Sequence, residues 1–302
     1  MVEIEAHQII SCATAMATVR MPGTCGELVQ GRIDGVRFHV SCPIDVFSEV
    51  SVELYSGAYG WTFPSDAPKA ASAVQAALRY LGLRNAGGRL TIQSPLPRGK
   101  GMGSSTADVA GAIQAVFTAA GHSASADEVA QLALSVEPTD GSFLPGIALF
   151  DHRTGLVREC LGPPPPIDVI VLDFGGVVDT LEFNSRDYDR ELAYLEPQFA
   201  TALELVRKGI AAGDARLIGR GATLSALANQ SILPKAQLSR VLDFAEGIGA
   251  LGVNVGHSGT VIGLLLDPNH HTEISGEKLR REFPDLENTR FCRLVSGGAR
   301  TA

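Results

Sequence analysis

The spacing of apolar residues predicts strands in the first third of the chain. Val50, Val52 and Leu54 alternate with polar neighbours, which is the period of two that places apolar side chains on one face of a strand. Asp34-Gly35 lies between two extended segments, and this dipeptide is typical of tight hairpin turns. We therefore expect a hairpin around this turn and a half-buried sheet beyond it.

Helical periodicity predicts three helices in the first half, near residues 66–82, 105–121 and 125–138. Each segment repeats apolar residues at intervals of three and four, and each ends at or near a glycine or proline. Ser125 and Glu128 have the spacing of a capping box at the start of the third helix. The first half therefore combines strands and helices.

A proline run marks the expected boundary between two domains. Residues 162–166 read Gly-Pro-Pro-Pro-Pro, a composition typical of a stiff linker. We expect one domain over residues 1–165 and a second over 166–302. The pattern beyond the linker predicts helices around 190–208 and 235–249, strands between 253 and 267, and a final helix and strand between 277 and 295, which makes the chain α+β without an internal repeat.

Composition excludes several classes of protein. The chain has 302 residues, of which 25 are basic and 33 acidic, giving a net charge of −8, so a dedicated nucleic-acid binder is not expected. Its longest apolar runs are strand-sized, and the five cysteines lack metal or disulfide spacing. We expect a cytoplasmic protein without a membrane partner. His270-His271 is predicted as a solvated turn, and the sequence leaves the oligomeric state open.

The most informative segment is a glycine-rich loop that precedes the second predicted helix. Gly99, Gly101 and Gly103 let the backbone bring consecutive amides close to an anion, and a helix N-terminus adds further unpaired N–H groups. The glycine spacing is neither a Walker A motif nor a dinucleotide fingerprint. The loop therefore predicts a phosphate site, and the alternative is a plain turn capped by Ser105 and Asp108 at capping-box spacing.

Three motifs in this chain resemble those of the GHMP kinases, a family that includes galactokinase, homoserine kinase and mevalonate kinase. Residues 97–106 match the signature Pro-x-x-x-Gly-x-Gly-Ser-Ser-Thr, residues 21–31 are similar to the first family motif, and residues 256–260 are similar to the third. The residue sequences at 41–45 and 136–142 further resemble those of the L-threonine kinases of this family.

This resemblance implies a fold and a reaction. The fold would be two α+β domains, the first like domain 2 of ribosomal protein S5 and the second ferredoxin-like, with Mg²⁺ and ATP between them. The reaction would phosphorylate L-threonine to O-phospho-L-threonine for cobalamin side-chain synthesis. The alternatives are a kinase for another small hydroxyl compound, such as homoserine or a sugar, and a regulator that binds nucleotide without turnover.

The resemblance also implies the site residues. Asp140 would be the catalytic base, Ser105 and Glu137 the Mg²⁺ ligands. Thr24, Glu27 and Asp45 would contact the amino-acid acceptor, although Thr24 stands where mevalonate kinase and galactokinase carry Lys or Arg. The residues expected to bind ATP are Pro97, Gly99, Lys100, Gly101, Gly103, Ser104, Ser105, Thr106, Gly256 and Gly259.

Elementary electrostatics bears on the two carboxylates. Glu137 lies at the predicted C-terminal end of a helix, where the helix dipole disfavours negative charge and a nearby cation would relieve the conflict. A solvated surface carboxylate is the alternative for Glu137, and a simple turn is the alternative for Asp140-Gly141. Phosphoryl transfer needs a divalent metal and anion donors to neutralise the phosphates, and usually one carboxylate base for the hydroxyl nucleophile. Glu137 and Asp140 are the candidate carboxylates.

Overall fold

The computed structural model of this protein describes residues 13–55, 60–176, 187–269 and 274–301, so the predicted turn at His270-His271 lies outside it. No helix in these ranges is long and apolar enough to cross a membrane. The helices are α1 Pro68–Tyr80, α2 Ser104–Ala119, α3 Ala126–Leu134, α4 Asp189–Ala212, α5 Ala215–Asn229, α6 Leu238–Gly247 and α7 Gly276–Glu282. The strands are β1 Ala13–Ile33, β2 Val36–Tyr55, β3 Trp61–Thr62, β4 Gly87–Gln93, β5 Ile147–Phe150, β6 Arg158–Gly162, β7 Asp168–Asp173, β8 Gly252–Val255, β9 Ile262–Leu266, β10 Asn288–Arg293 and β11 Arg300–Thr301.

A long antiparallel hairpin, β1 and β2, forms the centre of the sheet. Asp34 and Gly35 join its strands with φ angles of 50° and 80°, as a two-residue turn with both centres left-handed requires. The predicted hairpin is therefore confirmed. Along the main path the strand order is β10-β7-β9-β8-β1-β2-β4-β3, and Glu27 of β1 pairs with Val255 of β8. That pairing brings the second half of the chain beside the first.

Helix α2 is the core helix of the first half, with buried residues on most of its faces. A Cβ on Gly111 would lie 2.7 Å from Val50 Cγ2, so this glycine lets the helix pack directly on β2. The predicted Ser125 capping box of α3 is confirmed. The cap of α2 by Ser105 and Asp108, the alternative to a phosphate loop, does not form, because Gly103 occupies the N-cap without a side-chain bond and Asp108 instead accepts a hydrogen bond of 2.6 Å from Ser48.

In the second half, α4 and α5 pack against β1 and β8. A Cβ on Gly31 would lie 2.3 Å from Phe199 of α4, and one on Gly219 of α5 would lie 2.1 Å from the Leu251 carbonyl oxygen. The predicted helices near 190–208 and 235–249 correspond to α4 and α6, whereas α5 was not predicted. Residues 163–167 connect β6 to β7, and a domain boundary at 165/166 stays a prediction.

Candidate functional site

The glycine-rich loop has the backbone geometry that its sequence predicts. Gly99, Gly101 and Gly103 have φ angles of 71°, 83° and 64°, in the left-handed region that only glycine adopts freely. Helix α2 begins at the next residue, Ser104. The first amides of α2 therefore lie directly after the loop, as an anion site at a helix N-terminus requires.

The first motif, residues 21–31, is hydrogen-bonded to this loop through its backbone. Gly26 N donates to Gly101 O and Thr24 N donates to Met102 O, both at 3.0 Å. A Cβ on Gly103 would lie 3.0 Å from Thr24 Oγ1. Thr24 is fully buried, so it packs under the loop, and it is not among the residues that line the cavity described below.

The third motif, residues 256–260, also contacts the loop through its backbone. Thr260 N and Val261 N both donate to Lys100 O, at 2.9 and 3.1 Å. A Cβ on Gly259 would lie 2.1 Å from Gly101 N, and one on Gly256 would lie 3.4 Å from the Gly259 carbonyl carbon. The three motifs, far apart in sequence, thus form one backbone assembly.

A cavity of about 110 Å³ opens at this assembly. Its lining includes six of the predicted ATP-binding residues, namely Gly99, Gly101, Gly103, Ser104, Ser105 and Thr106. Glu137 and Asp140 line it as well. The structure therefore brings the predicted loop, metal ligands and base to a single cavity.

Ser105 and Glu137 contact each other on the cavity wall. Ser105 Oγ donates to Glu137 Oε1, and Lys69 Nζ pairs with Glu137 Oε2. The Glu137 side chain is only 13% exposed, so it is not the solvated surface carboxylate of the alternative. Two hard oxygen donors and a compensating lysine thus meet at the start of α2.

The first turn of α2 fixes the backbone of Asp140. Its backbone N–H donates to Thr106 Oγ1 at 3.1 Å, and Thr106 Oγ1 lies 2.9 Å from Thr139 Oγ1. The Asp140 side chain is 24% exposed, and its Oδ1 lies 3.4 Å from His39 Nδ1. The carboxylate therefore reaches the cavity while its backbone is fixed.

Behind Asp140 lies a buried carboxylate and imidazole pair. Glu27 is 3% exposed and its Oε1 lies 3.9 Å from His39 Nδ1. Burial raises the pKa of Glu27 to about 7. Burial opposes charge on His39 too, but Glu27 and Asp140 outweigh it and raise the pKa of His39 above its ordinary value. Glu27 does not line the cavity itself and faces it only through His39.

Three imidazoles form a histidine cluster, defined as His39, His152 and His257. The rings of His39 and His152 stack with centroids 3.8 Å apart and an interplanar angle of 6°. The His257 ring lies 4.2 Å from that of His39, tilted by 58°. All three side chains line the cavity.

The other predicted residues lie outside this cavity. Lys100 Nζ pairs with Asp173 Oδ1 at 3.0 Å, with both side chains largely buried, and Pro97 is half-buried before the loop. Asp45 accepts a hydrogen bond of 2.8 Å from Arg293 N and pairs with the Arg293 guanidinium. Gly256 and Gly259 act as packing surfaces for the loop.

Sequence reasoning missed Lys69, His39 and His152. Lys69 gave no pattern that links it to Glu137, since it follows Pro68 at the start of α1. The histidines did leave a signal. His39 is a polar residue in the buried part of β2, and His152 follows the fully buried strand β5 by two residues.

Family models match both halves of the chain. A model of the GHMP kinases N terminal domain matches residues 68–145, and a model of the GHMP kinases C terminal domain matches residues 202–285. The L-threonine kinase of Salmonella typhimurium is 32% identical over 98% of this chain and 99% of its own length. The L-threonine kinase of Citrobacter freundii is 32% identical over 94% of this chain and 99% of its own length.

Solved structures share the fold at low sequence identity. A homoserine kinase from Cytophaga hutchinsonii superposes with a TM-score of 0.71 at 18% identity, covering 100% of both chains. The Methanococcus jannaschii mevalonate kinase gives 0.71 at 16% identity, covering 93% of this chain and 99% of its own. These comparisons confirm the predicted two-domain α+β fold.

Proposed function

This chain belongs to the GHMP kinase family, and we propose that it is an L-threonine kinase that forms O-phospho-L-threonine and ADP from L-threonine and ATP. The observation that carries the proposal is the single cavity at which the glycine loop, the Ser105–Glu137 contact and Asp140 converge. The two curated relatives named L-threonine kinase support the choice of acceptor.

The phosphates of ATP would bind where the loop meets α2. Unpaired amides at a helix N-terminus stabilise anions. A second cavity of about 300 Å³ shares Lys69, Gly99, Ser104 and Ser105 with the first. Its other walls include apolar Ala67, Pro68, Ala70 and Val109, so we assign the nucleoside part of ATP to it.

Mg²⁺ would be held by Ser105 and Glu137. A hydroxyl and a carboxylate oxygen in mutual contact are the hard donors this ion prefers, together with substrate phosphates. When bound, the ion neutralises charge on the transferred phosphoryl group. Lys69 adds a further positive charge beside Glu137. Mevalonate kinase and galactokinase carry Lys or Arg at the position of Thr24, and Lys69 would supply a cation that this position lacks.

Asp140 would accept the proton of the acceptor hydroxyl group. The hydroxyl oxygen then forms a bond to the γ-phosphorus, and the bond from that phosphorus to the β,γ-bridging oxygen breaks, which leaves ADP. A carboxylate fixed through Thr106 and open to the cavity suits this role. Thr24, Glu27 and Asp45 stay predictions as acceptor contacts, as do a cytoplasmic location and the boundary at 165/166.

An acceptor screen tests the proposal. ADP release is measured with L-threonine, L-serine, L-homoserine, galactose and mevalonate, and phosphorylated products are identified by mass spectrometry. We expect the highest kcat/KM for L-threonine. Preference for homoserine or a sugar would reject the threonine assignment within the kinase class, whereas absence of turnover with every acceptor would favour the nucleotide-binding regulator.

A further inference from the structure

Two members of the histidine cluster, His39 and His152, have buried ring nitrogens, and of these His39 Nδ1 lies 3.4 Å from Asp140 Oδ1. Both ring nitrogens of His39 and Nδ1 of His152 are buried without a hydrogen bond among the described residues. His39 and His152 are only 2% and 5% exposed. Buried polar atoms that lack partners are costly. Because these rings line the cavity, a bound ligand could supply the missing partners.

Several basic groups lie near His152 and His257. Burial lowers the pKa of His152 and His257 well below the ordinary histidine value, and positive charge on His39, Arg153 and Arg37 lowers it further. Lys235 has the same effect on His257. The nearby acidic groups are Glu27 and Asp140, which face His39, and Asp187 and Asp189, which pair with Arg37. Arg153 and Lys235 form no ion pair among the described residues. Such a setting favours an anion beside His152 and His257.

The ring geometry disfavours a metal ion as that ligand. Imidazole binds metals through lone pairs that lie in the ring plane. The planes of His39 and His152 are parallel and 3.8 Å apart at their centroids, so their lone pairs do not converge on one ion. Arg153 and Lys235, which act on His257, oppose a cation there as well. A hydrogen-bond acceptor with negative charge satisfies both constraints.

We propose that the histidine cluster binds the α-carboxylate of the amino-acid acceptor, with His152 and His257 as N–H donors and His39 as a cationic neighbour. The proposal rests on the proposed threonine kinase function and adds a subsite to it. The same cavity holds Asp140 and the glycine loop, so one small molecule can present its carboxylate to the cluster and its hydroxyl group to Asp140. Glu27 then serves the acceptor indirectly, by favouring the charged form of His39.

Paired substrates and variants test this subsite. L-threonine and L-threoninol share the hydroxyl and amino groups and differ in the carboxylate. In His152→Leu we expect KM for L-threonine to rise about 10- to 100-fold, which is the range for loss of a hydrogen bond to a charged group. The KM for ATP and the kcat/KM for L-threoninol should stay within about twofold, since neither involves the lost contact.

Two further variants separate this effect from misfolding. His152→Gln retains an N–H donor and should recover part of the affinity for L-threonine. His122→Leu alters a histidine that is exposed beyond the end of α2 and should behave as the parent. If His152→Leu and His257→Asn, both folded by circular dichroism, keep the parental ratio of kcat/KM for L-threonine over L-threoninol, the proposal is wrong.

Calorimetric titration with L-threonine in the presence of a non-hydrolysable ATP analogue distinguishes the two proposals. If the parent binds L-threonine without turnover and His152→Leu weakens this binding, the kinase function is rejected and the subsite is retained. If the parent turns over L-threonine and His152→Leu binds it as the parent does, the kinase function is retained and the subsite is rejected. If the parent does not bind L-threonine at all, the subsite is rejected as well. A titration with zinc chloride completes the test, because stoichiometric binding that is lost in His152→Leu would identify a cation site instead.

Discussion

Gly259 packs against Gly101 so closely that a Cβ built on Gly259 would lie 2.1 Å from the Gly101 nitrogen and 2.3 Å from its Cα. The neighbouring Lys100 carbonyl accepts two hydrogen bonds from the residues that follow Gly259. The third motif therefore fixes the glycine loop through backbone contacts alone. Gly259 is required by space, because a side chain at this position would overlap the backbone of Gly101.

Gly259→Ala should weaken ATP binding. The added methyl group must displace the loop, and a shift near 1 Å in a positioned group costs up to about 100-fold in activity. We expect KM for ATP to rise at least about 10-fold, measured by ADP release and by calorimetry. Gly247→Ala is the matched control, since no atom lies within 4 Å of its Cβ position. Parental ATP affinity in folded Gly259→Ala would contradict the packing argument.

Glu137→Gln should raise the Mg²⁺ concentration needed for half-maximal activity. The amide keeps the shape of the side chain but loses the charge that a hard cation requires. An increase of about 10-fold or more is expected from a titration of activity against magnesium chloride at fixed ATP. Glu204→Gln, on the exposed surface of α4, should leave that concentration unchanged. An unchanged Mg²⁺ requirement in Glu137→Gln would remove this residue from the metal site.

Asp140→Asn should lower kcat while ATP affinity is nearly retained. The amide fits the same space but cannot accept the hydroxyl proton, and loss of a general base costs about 10²- to 10⁴-fold. Single-turnover measurements and ATP titrations provide the two quantities, with Asp243→Asn on the exposed face of α6 as the control. More than about half the parental kcat in Asp140→Asn would exclude it as the base.

Local sequence rules predicted the features that depend on neighbouring residues. The left-handed glycines of the loop, the Asp34-Gly35 turn and the Ser125 capping box were all predicted because short-range sterics and hydrogen bonds determine them. Helix α5 was missed because its buried face is built from small residues such as Gly219, Gly221 and Ala222. Such a face gives little apolar periodicity.

The histidine cluster could not be predicted because its members come from three separate places. His39 lies in β2, His152 follows β5 and His257 follows β8, and only tertiary packing brings their rings together. Their sequence separations carry no metal-site or triad pattern. Tertiary packing also determines the partner of Asp45, whose carboxylate accepts a hydrogen bond from Arg293 N, and its contact with the acceptor stays a prediction.

A buried lysine that contacts the loop assembly makes the stability of the fold depend on pH. Lys235 is 8% exposed, and its Nζ donates to the Gly259 carbonyl at 2.5 Å. Burial lowers the pKa of Lys235 from 10.5 to about 8. Between these values the unfolded chain binds one more proton than the native state, so this residue makes the free energy of unfolding rise with pH. Below pH 8 both states carry the charge, and the full burial penalty applies.

Lys235→Met should remove that pH dependence. The pKa difference corresponds to about 3 kcal/mol, most of which develops between pH 7 and pH 10. We therefore expect the free energy of unfolding of the parent, relative to Lys235→Met, to increase by about 2 to 3 kcal/mol over this interval in urea titrations. Other groups that titrate there cancel in the difference. Lys208→Met, on the exposed surface of α4, controls for the side-chain replacement, and its difference from the parent should stay constant. A constant difference for Lys235→Met as well would show that Lys235 keeps an ordinary pKa, and the buried ammonium would then be stabilised by the Gly259 carbonyl as well as it is by water.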